Sequence, residues 1–301
     1  MGWECVQGPD LAPVAEVWEA AFRARPASIF QSFTFARHWA AAFRQEAAVQ
    51  VWFCRNPPLV APLVVREDRL GLIGEGLFDY LDLIGEAPAR WLYEVAELAQ
   101  RASWSSAQFT GVPRHSPHGA FWQALGGTSA EYAAAPLRTE GGDVDAEHPR
   151  LAARWDAAGV ELRLETELAV RRRVLAWLFD RKARALAARG ERNVLGANEQ
   201  RWLAAMAENE PGLTELWSLR RGGEILAALL CWRTAAVRYA YTLSYEQRCA
   251  ALSPGVLLLY AVVRQTMNQR RAFNFLTGDQ AFKLRLATDR DPLLRFSHRR
   301  L

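Results

Sequence analysis

The stretch "ALSPGVLLLYAVVRQTMNQRRAFNFLTGDQAFKLRLA", residues 251–287, decides how the chain is read. It predicts a helix over about 254–270, a short buried strand "AFNFL", and a helix-like segment "DQAFKLRLA". Ser253 is of the type that caps a helix, and Pro254 suits the first helical position because its missing N–H is no loss there. Gly255 lets another group approach the backbone closely. Beyond the strand, Gly278 allows a sharp turn, Asp279 is placed to cap the next helix, and Lys283 follows four residues later on the same helical face. That lysine is unusual here. Of 37 strong bases, only Lys182 and Lys283 are lysines.

Immediately upstream lie three strand-like runs, "TELWSLRR", "EILAALLCWR" and "AVRYAYTLSY". Gly222-Gly223 joins the first two and supplies the positive φ of a tight hairpin turn, so the three form an antiparallel meander. A strand "VELRLET", a long amphipathic helix over about 168–189 and a helix over about 198–209 precede them, and "LLRFSHR" closes the chain as a strand. In the first half, helix-like segments at about 10–24, 35–45, 88–102 and 117–125 accompany the strand-like runs "VQVWFC", "LVAPLVVR", "FDYLDLI" and "AQFTGV". Apolar periodicity stops at "LRTEGGDVDAEHPR", residues 137–150, which reads as a linker. The chain therefore divides into two α/β domains, 1–140 and 141–301.

A length of 301 residues, half of them apolar, is enough to bury two cores. The net charge of +4 is uneven: residues 1–140 carry 11 bases against 15 acids, and residues 141–301 carry 26 against 18. A basic second half favours an anionic partner such as a phosphate-bearing cofactor, a nucleic acid or a glycolipid phosphate. The arginines of residues 169–192 also fit a solvated helix face. Four cysteines show neither zinc-site spacing nor the density of a disulfide framework, and Cys54 and Cys231 read as buried free thiols. No secretory leader and no run long enough to span a membrane is present, which predicts a cytoplasmic protein. Most of the twelve tryptophans, Trp39, Trp177 and Trp202 among them, sit at apolar-periodic positions and read as core. "HSPH" at 115–118 reads as a polar loop, and no metal site is expected.

The order helix, helix, three antiparallel strands, helix, strand, helix, strand is that of the GNAT acyltransferase fold. The run "GGEILAALLCWRTAAVRYAYTLSYEQRCAALSPGVLLLYAVV…FNFLTGDQAFK" resembles the GNAT-like acetyltransferases associated with bacterial cellulose biosynthesis, the CelD/BcsL type. In the first half "FQSFTFARHWAAAF", "LVAPLVV" and "YLDLIG" are similar to the same family. That family is related to the Fem-type peptidoglycan aminoacyltransferases, which "GLFDYLD" and "FK" also resemble. The resemblance implies tandem GNAT-like domains, each a mostly antiparallel mixed sheet flanked by helices. It also implies transfer of an acyl group, acetyl above all, from acyl-CoA to an amine or hydroxyl of a small molecule or glycan, with an envelope polysaccharide precursor as the acceptor.

The same resemblance assigns the donor's pyrophosphate to Ser253, Pro254, Gly255 and Val256. The usual Gln/Arg-x-x-Gly-x-Gly/Ala loop is replaced there by "CAALSPG". Tyr241 and Tyr245 either line the acceptor pocket, with a leaving thiolate to protonate, or are core and rim aromatics. Lys283, in the "FK" pair, contacts a phosphate or the charge developing at the carbonyl, or else simply pairs with Asp279. Asp79, Tyr80 and Asp82 lie in the segment that resembles the family's acceptor side, Asp82 as general base or as a partner of the acceptor. Two alternatives remain open: a Fem-like enzyme drawing on aminoacyl-tRNA, which would make tRNA the one nucleic-acid partner, and a non-catalytic binding protein on the same fold.

Overall fold

One sequence of elements occurs twice along the chain. The computed structural model describes residues 2–25, 28–126, 128–139 and 142–299. The first pass runs β1 (Glu4–Gln7), α1 (Ala15–Ala24), α2 (Phe33–Ala42), β2 (Ala48–Arg55), β3 (Pro58–Arg66) and β4 (Arg69–Leu72). It continues with the two-residue β5 (Ile84–Gly85), α3 (Ala89–Arg101), β6 (Ser106–Pro113), α4 (Gly119–Ala124) and β7 (Thr128–Arg138). After the short helices α5 (Val144–Glu147) and α6 (Pro149–Ala157), the second pass runs β8 (Glu161–Leu164), α7 (Leu168–Ala187), α8 (Ala197–Asn209), β9 (Thr214–Arg221), β10 (Glu224–Arg233) and β11 (Val237–Tyr245). It ends with α9 (Pro254–Asn268), β12 (Ala272–Asn274), α10 (Ala281–Leu286) and β13 (Asp289–Arg299). In both passes three antiparallel strands lead through a helix to a strand parallel to the third, β4 with β6 and β11 with β12.

The chain forms two compact units, one of residues up to Ala134 together with those from Pro292 on, the other of Ala135–Asp291. The last strand of the chain thus completes the first unit's sheet, pairing antiparallel with β6 from Leu293↔Pro113 to Arg299↔Ser106. The end of β7 lies in the second unit, where Arg138 and Leu137 pair with Phe273 and Asn274 of β12.

The local reasons are simple. Gly222 and Gly223 take φ of 55° and 86° and turn β9 into β10 as the sequence predicts. Ser32 caps α2 by accepting from Phe35 N. Helix α9 is apolar over most of its length, so most of it is buried, with Leu257, Leu258, Leu259, Val262 and Val263 packed on Leu229, Cys231 and Phe273 while Gln265 and Asn268 face out. Cys54 and Cys231 are buried free thiols.

Three local expectations are corrected. "FDYLDLI" is not a strand beyond Ile84: Tyr80 has φ of 61°, and the segment is held irregular by Ser28 Oγ donating to Tyr80 O (3.2 Å) and Gln31 Nε2 donating to Leu83 O (3.1 Å). Strand β7 and helices α5 and α6 occupy much of the region read as linker, because Asp143 caps α5 through Asp145 N and Ala146 N and Pro149 starts α6. Asp279 lies outside α10, whose N-cap is Gln280 with no side-chain cap bond.

Candidate active site

The second unit's sheet forks, and the fork is built by a single extra residue. Ahead of Tyr241, odd residues of β11 bond β10 (Thr234 N donates to Val237 O, 2.8 Å), while even positions face β12 (Ala272 N donates to Ala236 O, 2.9 Å). The register with β10 then slips from Cys231↔Ala240 to Leu230↔Thr242, so Tyr241 stands opposite no residue and forms a β-bulge. Past the slip the even residues bond β10, as Glu246 N does to Leu226 O at 2.8 Å. The amides of Leu243 and Tyr245 are thereby turned to the other edge. There β12 has already left, its parallel ladder with β11 ending at Tyr239↔Asn274.

The bulge also parts two side chains that a regular strand would put on one face. Tyr241 packs on Trp202 and Trp232, with ring centroids 6.0 and 5.3 Å away, whereas Leu243 lies against Gly255 of α9. Just before the fork, Arg238 anchors β11 to β9. Its guanidinium grips Glu215 at 2.6 and 3.1 Å, lies over the Trp217 ring and bonds Thr266 of α9.

A cavity of about 300 Å³ occupies the fork, with Lys182 and Leu186 of α7, Thr242 and Tyr245 of β11, and Phe282 and Lys283 of α10 in its wall. The chain's two lysines thus share one cavity. Lys283 Nζ donates to Thr277 O at 2.8 Å, which ties α10 back to the turn after β12. Thr242 is 6% exposed and its hydroxyl has no hydrogen-bond partner among the described residues. Burial pushes the Tyr239 phenol up to about 12, so it stays protonated. Tyr245, Lys283 and Tyr241, all candidates from sequence, line this cavity; Lys182 and Thr242 were not singled out for it.

At the helix start beside it, Ser253 occupies the N-cap position in the left-handed conformation (φ 51°) and makes no side-chain cap bond. Its carbonyl takes the amides of Val256 (3.0 Å) and Leu257 (3.1 Å), and Pro254 has none, so Gly255 offers the first amide of α9. Glycine fits closely there: a Cβ would stand 3.0 Å from Leu243 Cδ2 and 3.3 Å from Tyr245 Cδ1, so those side chains would have to give way. The group that approaches Gly255 closely is the wall of the cavity itself.

Asp79, Tyr80 and Asp82 belong to the first unit. Asp82, 5% exposed, accepts from Leu83 N (2.9 Å) and pairs with Nδ1 of buried His118 at 2.9 Å, while His118 Nε2 lies 3.0 Å from Gly85 O. His118 is therefore a core residue rather than part of a polar loop. The pair borders a separate cavity of about 140 Å³ within that unit. Among the described residues no cluster of His, Cys, Asp and Glu is arranged to hold a metal, and no helix is long and apolar enough to cross a membrane.

Fold and cavity together define a GNAT-like α/β architecture in tandem. Residues 148–284 match the family described as "Acetyltransferase (GNAT) domain". No curated protein matches the chain by sequence. Solved structures do. The C-terminal domain of a putative lysylphosphatidylglycerol synthetase from Agrobacterium fabrum aligns with a TM-score of 0.62 at 15% identity, over 94% of this chain and 92% of the other. FemX aligns with 0.57 at 10% identity, over 100% and 98%. A tandem GNAT protein from the clavulanic acid biosynthesis pathway aligns with 0.54 at 13% identity, over 99% and 98%. These likenesses concern the fold.

Proposed function

We propose that the chain is an acyltransferase that moves an acyl group, acetyl in the first instance, from acyl-CoA to an amine or hydroxyl in the fork of the second unit. The observation that carries this is the cavity at the divergence of β11 and β12, with backbone amides turned into it. An acyl carbonyl seated there receives a hydrogen bond from the Leu243 or Tyr245 amide as an amine or hydroxyl attacks its carbon. The C–S bond then breaks and the thiolate leaves. Lys283 supports the developing negative charge, the acceptor's proton passes to water, and Tyr245 or Tyr241 gives a proton to the sulfur and is reprotonated from solvent. The donor's pyrophosphate rests on the helix start at Ser253, Pro254, Gly255 and Val256, with the Gly255 amide facing it. A glycan precursor of the envelope, as for the cellulose-associated enzymes, is the acceptor this resemblance favours.

A second reading keeps the cavity and replaces the donor by aminoacyl-tRNA. The excess of 26 bases over 18 acids in residues 141–301 and the absence of the usual CoA loop favour it. Thermal melting of the full chain with acetyl-CoA, CoA and aminoacyl-tRNA decides between the two. Acetyl-CoA and CoA are expected to raise the midpoint. A rise with aminoacyl-tRNA alone selects the second reading, and no rise with any of the three removes both.

A further inference from the structure

The α7 wall of the cavity has a charge pattern that acyl transfer by itself does not require. Lys182, Ala185, Leu186 and Arg189 follow one another at helical spacing, and all four line the cavity. Lys283 adds a third cation from α10, and the described lining contains no Asp or Glu. Two of the three cations have partners: Arg189 is held by Glu191 at 2.6 and 3.1 Å, and Lys283 donates to Thr277 O. Arg189, just past the end of α7, also sits where the helix dipole favours a cation, whereas Lys182 lies more than a turn inside. Burial, and then the neighbouring Arg189, push the Lys182 amine below its usual range. A half-buried ammonium beside a like charge is costly unless something supplies the counter-charge. Independently, the Thr242 hydroxyl in the same wall is buried without a partner among the described residues.

We propose that the ligand of this cavity carries an anionic group, carboxylate or phosphate, which pairs with Lys182 on the α7 wall while Thr242 donates a hydrogen bond to the same ligand. The inference rests on the reading of the cavity as the acyl-transfer site and adds a requirement to it: one of the two substrates must present negative charge on the α7 side.

The test is calorimetric titration of the full chain with sodium pyrophosphate and with sodium succinate, in the wild type, Lys182→Met and Lys182→Arg. At least one probe is expected to bind the wild type, to lose roughly tenfold or more in Lys182→Met, and to retain most of its affinity in Lys182→Arg, as a charge-assisted hydrogen bond requires. Loss confined to pyrophosphate assigns a phosphate to the site, and loss confined to succinate assigns a carboxylate. Binding of neither probe by the wild type, or equal binding by Lys182→Met, overturns the proposal. Should Lys182→Met fail to fold, the wild type titrated at low and high salt replaces it, and binding insensitive to salt overturns the proposal equally. Coenzyme A, titrated separately, tests the underlying reading. If it fails to bind while the small anions still depend on Lys182, the acyl-CoA donor is lost and the anion site stands.

Discussion

The two units carry the same fork, and only one of them leaves it open. In the second, β11 and β12 separate after Tyr239↔Asn274 and a cavity fills the gap. In the first, β4 and β6 pair only at Arg69↔Ser106 and Leu70↔Ala107, and the chain then plugs the space itself. The plug is the segment after β4. The Glu75 carboxyl accepts from Thr110 N at 3.0 and 3.2 Å and from the Thr110 hydroxyl, and Leu81 N donates to Gly111 O at 3.0 Å. Gly111 is pressed so close that a Cβ would meet Asp79 Cα at 3.3 Å. One fold thus gives one filled fork and one open fork, and the difference lies in about a dozen residues of loop.

The comparison breaks most visibly at Asp82. Replacing it with Ala removes the carboxyl that the buried Leu83 amide and His118 Nδ1 face and should cost about 3 kcal/mol in denaturant unfolding, with turnover per folded molecule retained. A fall in turnover at unchanged stability would move chemistry into the first unit. Next comes Lys283. Lys283→Met should lower kcat/KM by roughly 10²-fold, the scale of one lost oxyanion donor, with a small change in stability, and Lys283→Arg should recover activity only in part. Full activity in both variants would take Lys283 out of the reaction.

Glu75 sharpens the other side. Burial pushes its carboxyl up to about 7, against the opposing pull of its bonds from Thr110. A pKa raised on folding means the native state holds the proton more tightly. The associated stability is complete below the ordinary carboxylate range and is lost as pH rises through about 7, on the order of 3 kcal/mol in all. Glu75→Gln should flatten the melting temperature between pH 5 and 8, and a profile as steep as the wild type's would place the titration elsewhere. The smallest effect is expected at Gly255→Ala. Leu243 must give way by a few tenths of an ångström, for a loss of about 1 kcal/mol together with weaker donor binding. A stability equal to the wild type's would show that the wall yields freely. Leu at this position would disturb the core as well, so alanine is the informative change.

The second unit was legible because its signals are local. Gly222-Gly223, the apolar run of α9 and the Pro254 start each specify their own turn or helix within a few residues. Lys182 announced itself only by rarity and helical spacing, and its meeting with Lys283 across a hundred residues needs the packed structure. The bulge at Tyr241 left no mark, since an extra residue in a strand looks like any other until its partner is known. "FDYLDLI" misled for the opposite reason: its apolar pattern is that of a buried strand, but side chains of Ser28 and Gln31 satisfy its backbone in place of a neighbouring strand. His118 was hidden among loop residues because its partner Asp82 lies 36 positions earlier.

The place of β13 has a consequence for how the chain is made. During synthesis the first 134 residues emerge early, yet β6 waits for Leu293–Arg299, the last of its neighbours to leave the ribosome. Until then an apolar edge carrying Phe109 and Val112 stands unpaired, the kind of edge on which nascent chains associate. Removing the last ten residues would therefore harm the unit that is translated first, and a fragment ending near residue 140 would be expected to aggregate even though it carries most of that unit's core.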